Sequence, residues 1–298
     1  MTGAANIELG ERLAAVRRLR ATEPDRIARA AAQRRRRPLL GSDGRLLIVA
    51  ADHTARGVVG IRDEPMAMAS RDDLLRRLLV VLEHPRVDGL LATPDVVEDL
   101  LLLGVLDHKI VIGSMNRGGL QRAVFELDDR FTAFDASALH RAGYDGGKML
   151  CRIDLSDPGT APTLEACGRA VSQLAGYGLM AMVEPFWSRR VDGRLQNDLS
   201  PEAVIRSIHV AQALGVTSAH TWLKLPIIEE MARVMAATTL PTLLLGGDPS
   251  GSPDETYAGW RQGLRAPNVR GLVVGRALLY PPGGDVQAAV DAAASLVH

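Results

Sequence analysis

Lysine is scarce in this 298-residue chain: of 35 basic residues, only Lys109, Lys148 and Lys224 are lysines. Arginine supplies the rest, as GC-rich coding would favour, so each lysine that remains is a candidate for chemistry arginine cannot do. A guanidinium stays protonated, whereas a lysine amine that loses its proton in a pocket can attack a carbonyl. Lys224 ends the run His220-Thr221-Trp222-Leu223-Lys224-Leu225-Pro226, and Lys148 opens Lys148-Met149-Leu150-Cys151-Arg152-Ile153-Asp154. Asp52 follows the apolar run that starts at Leu46, and Glu184 follows Met180-Ala181-Met182-Val183. An amine freed at Lys224 would condense with a ketone, and the resulting iminium would act as the electron sink for carbon–carbon cleavage. A second cation and an indole wall beside Lys224 are expected to disfavour its ammonium form. Glu184 is suited to moving protons, Asp52 to orienting a substrate hydroxyl or the lysine, and Lys148 to depressing the amine's pKa and holding a substrate oxygen. Lys109, at the start of its run, is expected to be structural.

Strand periodicity tests whether these groups can meet, because alternate residues share a face. Ile48, Ala50 and Asp52 share one face, as do Lys148, Leu150, Arg152 and Asp154; Met180, Met182 and Glu184; and His220, Trp222 and Lys224. The opposite faces (Met149, Cys151 and Ile153, for example) are apolar and suit burial under helices. Charged groups on one buried face cost several kcal/mol each unless they pair (of order ~5 kcal/mol). Their convergence therefore points to a site. An anion site is expected from Gly246-Gly247 in the segment Leu245–Gly251, and from Val274-Gly275-Arg276. Glycines there let backbone N–H groups approach a phosphate, and arginine adds a charge-assisted clamp. Arg152 is a further candidate for substrate binding.

The elements that would hold these residues alternate. Eight short apolar runs (46–53, 87–94, 109–116, 148–154, 179–186, 218–226, 241–248 and 269–279) are separated by helix-period segments. Helix starts are marked at Ser70, Ser200-Pro201-Glu202 and Ser252-Pro253-Asp254-Glu255. Eightfold strand–helix alternation predicts an α/β fold, a (β/α)8 TIM barrel over residues 41–298, with an N-terminal helical extension over residues 1–40. A doubly wound sheet is disfavoured because no Gly-rich dinucleotide fingerprint follows the first run. Residues 8–37 read as helix, ending in Arg34–Arg37 as a solvated cationic helix end. In barrels of this kind the groups at the C-terminal strand ends do the chemistry, and the loops after the last two strands often hold phosphate.

Composition narrows the class. The chain is 47% hydrophobic with 35 acidic and 35 basic residues, for a net charge of zero. That balance argues against nucleic acid and membrane surfaces as partners. No apolar run approaches the ~20 residues of a membrane span. Two cysteines, Cys151 and Cys167, make no disulfide framework, and no leader-like apolar segment opens the chain. A cytoplasmic protein is expected, with no cofactor, a phosphorylated sugar as substrate, and room for a homo-oligomer on apolar helix faces such as Leu100–Leu106.

The motifs resemble class I, Schiff-base aldolases of the tagatose-bisphosphate and DhnA-type fructose-bisphosphate group. The resemblance rests on Ala50-Ala51-Asp52-His53, Lys148–Asp154, Val183-Glu184-Pro185, Trp222-Leu223-Lys224-Leu225-Pro226 and the Gly246-Gly247 and Gly275-Arg276 loops. It covers most of residues 46–280 in order, with each motif short. It implies Lys224 as the imine-forming residue, Glu184 as proton shuttle, and Asp52 and Lys148 as supporting groups. His53 and Arg152 depart from the pattern. The chain looks still more like actinobacterial aldolase-like barrels associated with inositol breakdown. That likeness implies 2-deoxy-5-keto-gluconate 6-phosphate as substrate, split into dihydroxyacetone phosphate and malonate semialdehyde.

Two other readings use the same residues. A metal-dependent aldolase or isomerase would employ Asp52, His53, Glu184 and His220, although adjacent Asp52 and His53 should point to opposite faces of a strand. A non-catalytic barrel would bind a sugar phosphate as a sensor or partner subunit. Trp187 and Arg189-Arg190 are read as a lid, an acceptor pocket or an ordinary exposed loop.

Overall fold

The computed structural model describes residues 3–116, 119–247 and 252–298. The chain runs α1 (Gly3–Thr22), α2 (Arg26–Gln33), β1 (Leu46–Ala51), a 3-10 turn (His53–Arg56), α3 (Arg71–Glu83), β2 (Gly89–Ala92) and α4 (Pro94–Leu102). It continues through β3 (Ile110–Ser114), α5 (Ala136–Arg141), β4 (Gly146–Ile153), α6 (Thr160–Gly176), β5 (Met180–Val191), β6 (Arg194–Asn197) and α7 (Pro201–Gln212). It ends with β7 (Thr221–Leu225), α8 (Met231–Met235), β8 (Thr242–Leu245), α9 (Pro253–Gly263), β9 (Val269–Val274), α10 (Arg276–Leu279) and α11 (Val286–Val297).

Eight of these strands pair in parallel in the order β1-β2-β3-β4-β5-β7-β8-β9, and β9 returns to β1 to close a (β/α)8 barrel. Closure brings β1 and β9 so close that a Cβ at Gly271 would lie within 1.9 Å of Leu46 O; its φ of +136° also suits only glycine. The period of two sorts the side chains. Leu46, Ile48, Ala50, Leu91, Ile110, Ile112, Met180, Met182, Trp222, Leu243 and Val273 form an inner cluster. Their sequence neighbours Leu47, Val49, Met149, Cys151, Ile153, Val183, Leu223 and Leu225 join the layer under the helices. Inner packing is apolar at the lower end of the barrel and gives way to ionisable groups above it, which places the chemistry at the C-terminal strand ends.

Helix starts follow the expected caps: Ser70, Ser200 and Ser252 each accept a hydrogen bond from the backbone three residues on. The N-terminal segment differs from expectation. Pro24 cannot continue the hydrogen-bond ladder, so the helix ends at Thr22 and restarts at Arg26. Arg34–Arg37 are not a solvated helix end. They form an extended strap beneath the barrel, beside residues that immediately precede β2, β3 and β4. Buried Arg34 donates to the carbonyls of Lys109 and Gly143, at 2.6 Å each. Arg35 pairs with Asp107, Arg36 with Asp145 and Arg37 with Asp88. Lys109, as expected, is structural: its Nζ donates to Val87 O at 2.6 Å.

The second departure is a hairpin. β5 continues past Phe186 to Val191 and pairs antiparallel with β6. Asp192 and Gly193, at φ 50° and 73°, make the turn, which an Asp-Gly pair between strands favours. The hairpin rises over the C-terminal mouth. No helix among the described residues is long and apolar enough to cross a membrane.

Candidate active site

At the C-terminal mouth lies a cavity of about 610 Å³ whose walls include Asp52, Lys148, Arg152, Glu184, Lys224, Gly246, Gly247, Gly275 and Arg276. All nine residues singled out from the sequence thus face one space. They are presented by six of the eight barrel strands. Asp52 directly follows β1, Lys148 and Arg152 stand on β4, Glu184 on β5 and Lys224 on β7. The glycines close β8 and β9. The registers fix the heights, since Lys148 is opposite Met182, Leu150 opposite Glu184 and Met182 opposite Trp222.

At the floor, two amines and two carboxylates alternate. Lys224 Nζ lies 2.9 Å from Glu184 Oε1, Lys148 Nζ lies 2.5 Å from Glu184 Oε2, and Lys148 Nζ also lies 2.9 Å from Asp52 Oδ2. All four side chains are 10% exposed or less, so water does little to screen them. Burial pushes the Glu184 carboxyl upward, but Lys148 and Lys224 outweigh it and hold it at about 2. Asp52 is likewise kept well below the carboxylate range, its burial overcome by Lys148 and Lys224. Burial opposes charge on Lys148, yet Asp52 and Glu184 reverse that and raise its pKa.

The two lysines are therefore not equivalent. Lys148 is clamped between two carboxylates, whereas Lys224 shares a single one. The partner the sequence did not supply for Lys224 is Glu184, at ion-pairing distance. Glu184 is the carboxylate within hydrogen-bond reach of that nitrogen.

The upper walls carry the remaining groups. Gly246 leaves room for Val274, whose Cγ1 would stand 2.5 Å from a Cβ there. Gly275 lies so close to β1 that a Cβ would fall 2.7 Å from Ala50 O. Asp248, Pro249, Ser250 and Gly251, the rest of the expected anion loop, lie outside the described residues. Arg152 is not with this group. It projects from β4, and its guanidinium donates to Glu126 Oε1 and Glu126 O, both at 2.7 Å. The loop after β3 thereby holds it. Arg56 reinforces that loop, donating to Asn116 O and Gly119 O at 2.8 Å and pairing with Asp129.

Sequence reasoning turned His53 away from the face of Asp52 and passed over several other wall residues. His53 lines the cavity beside Asp52, because the chain leaves β1 in a 3-10 turn and the strand alternation no longer applies. Arg56 comes from the same turn, and Phe186 and Asn197 from the hairpin. Trp187 is half-buried outside the cavity, with Arg206 over its ring, and Arg190 ties the hairpin to Asp157. The donor set of the metal reading does not assemble. His220 is absent from the cavity wall, and the Asp52 and Glu184 carboxylates both converge on the Lys148 ammonium. Among the described residues no three His, Cys, Asp or Glu side chains are grouped to hold a metal ion.

Comparison with known proteins places this geometry in a lineage. The Cgl0159-like family description matches residues 44–294. The chain belongs to the Cgl0159-like family. The crystal structure of Cgl0159 from Corynebacterium glutamicum is 56% identical, covers 97% of each chain and superposes with a TM-score of 0.95. More distantly, the fold is that of a Schiff base-forming fructose-1,6-bisphosphate aldolase, with a TM-score of 0.65, 17% identity and coverage of 91% of this chain and 100% of the other. An archaeal fructose-1,6-bisphosphate aldolase, whose catalytic Lys carries the carbinolamine intermediate of its substrate, gives a TM-score of 0.64 at 17% identity, with 91% and 99% coverage. At such identities the likeness is one of fold. No curated protein matches the chain.

Proposed function

We propose that this Cgl0159-like protein is a class I aldolase, a lyase that makes or breaks a carbon–carbon bond of a phosphorylated keto-sugar through an imine on Lys224. The observation that carries the reading is the sharing of Glu184 between two buried amines at the floor of an open cavity. Glu184 takes the Lys224 proton, and the freed nitrogen adds to the ketone carbon to give a carbinolamine. The same carboxyl then returns its proton to the departing hydroxyl, and water leaves as the iminium forms. In the cleavage direction the electrons of the broken bond flow into that iminium to give an enamine, while the hydroxyl on the far carbon gives its proton to the Glu184 carboxylate and becomes an aldehyde. Lys148, held charged by its two carboxylates, stabilises the substrate oxygen, and Asp52 fixes Lys148. Gly246, Gly247, Gly275 and Arg276 receive the phosphate; Arg152 forms the opposite wall.

The aldolase fold of the distant structural relatives supports this reading. The substrate implied by the inositol-associated resemblance, 2-deoxy-5-keto-gluconate 6-phosphate, is the first to assay. Borohydride reduction in the presence of dihydroxyacetone phosphate, followed by peptide mass spectrometry, tests the mechanism. The expected adduct is on Lys224 and is lost in Lys224→Arg. An adduct on Lys148 reverses the lysine roles, and no adduct at all rejects the Schiff-base reading in favour of a binding protein.

A further inference from the structure

His53 has no part in the imine chemistry, yet it stands between the amine floor and the glycine walls. Its ring packs on Gly275, where a Cβ would approach Cε1 to 2.7 Å. Its Nδ1 is buried without a hydrogen-bond partner among the described residues, and Asp52 Oδ1 lies 3.9 Å away, just beyond bonding range. The other Asp52 oxygen is occupied by Lys148. We propose that His53 reads the charge of the ligand: it takes up a proton when a dianion settles against Gly246-Gly247 and Gly275-Arg276, and so favours phosphate esters over singly charged or neutral ligands. The inference rests on the proposed use of these walls as the phosphate site.

The charges around the ring explain why the proton arrives with the ligand. Asp52 at the end of β1 favours an imidazolium. Burial opposes it most; Arg276 after β9, Lys224 from β7 and Lys148 from β4 add to that, and together they lower His53 to about 4. Within the same turn, Arg56 is turned toward Asp129. Among the described residues, the other carboxylates of the cavity wall are committed elsewhere, Glu184 to the two lysines and Glu255 to the backbone of Ser252 in a capping box. A dianion among the three cations cancels their share of what keeps the ring neutral, and its own charge offsets the cost of a buried imidazolium. Once protonated, Nδ1–H can close the short gap to Asp52 Oδ1, leaving Nε2–H as a donor for the ligand. A singly charged group cancels less and draws the proton less strongly.

Calorimetric titration with inorganic sulfate between pH 5 and 7, in buffers of different ionisation enthalpy, isolates the effect. Sulfate stays dianionic over that range, so any proton taken up is the protein's. Wild type is expected to bind a proton with sulfate, and its affinity to rise by up to about tenfold per pH unit as the pH falls toward the His53 value. In His53→Asn and His53→Gln, sulfate still binds but uptake and slope disappear. No sulfate binding, no uptake by wild type, or uptake unchanged in both variants overturns the inference; the wild-type profile decides even if a variant misfolds. Borohydride trapping on Lys224 is scored separately. Trapping without uptake rejects the role of His53 alone, and uptake without trapping rejects the aldolase reading alone.

Discussion

Glu184→Gln probes the centre of the site, because it keeps the shape of the side chain and removes one negative charge. In the native floor two ammoniums face two carboxylates; the variant leaves Lys148 and Lys224 with Asp52 alone. The stabilising share of Glu184 follows from its carboxyl at about 2 against an ordinary 4.5. At about 1.4 kcal/mol per pH unit, that is a contribution of about 3 kcal/mol. Because the folded value is depressed, this stability is fully present above pH 4.5 and is lost as the pH falls toward 2. Urea unfolding from pH 7 down to pH 2.5 should show a wild-type acid limb larger than that of Glu184→Gln by about that much (~3 kcal/mol), with Asp52 contributing to both and the variant already weaker at pH 7. The imine assay gives a second readout with a different cause. Without the proton acceptor, the rate of borohydride trapping with dihydroxyacetone phosphate should drop ~100-fold or more. A variant with the wild-type acid limb and the wild-type trapping rate would refute the argument that Glu184 carries both the charge balance and the proton transfer.

Other perturbations separate the remaining parts. Lys148→Met removes the ammonium between Asp52 and Glu184 and leaves two buried carboxylates sharing one lysine; a loss of ~3–5 kcal/mol in urea unfolding at pH 7 is expected, with the adduct still forming on Lys224. Gly275→Ala drives a Cβ to 2.7 Å from the immobile Ala50 carbonyl; it should cost ~1–3 kcal/mol and raise KM for phosphorylated substrates, and unchanged sulfate affinity would count against the anion site. Arg34→Met strips the donor from the buried carbonyls of Lys109 and Gly143. It should lower stability by ~3 kcal/mol without altering the imine adduct, since the strap lies at the opposite end of the barrel.

Which features the sequence disclosed depended on whether the decisive physics was local. The barrel was legible because both its layers obey the strand period: Ile48 and Ala50 turn inward while Leu47 and Val49 meet the helices. The same rule brought Lys148, Glu184 and Lys224 to one floor, since each stands within a regular strand. It failed for His53 because Asp52 ends the strand, and a 3-10 turn carries the next residue into the cavity instead of away from it. The Asp192-Gly193 pair was a usable hairpin signal, but its place over the mouth depends on β5 extending past Phe186, which only closure of the sheet decides. Arg34–Arg37 illustrates a different limit. Their partners Asp107, Asp145 and Asp88 are distant in sequence and become neighbours only when β2, β3 and β4 begin side by side. The carboxylate partner of Lys224 could not be read locally at all. The residue types promised a neutral amine beside a cation, and the outcome turned on which carboxylates the closed barrel shared between the two lysines. Lys148 touches both carboxylates and Lys224 shares only Glu184 with it, a division that no local stretch of sequence encodes.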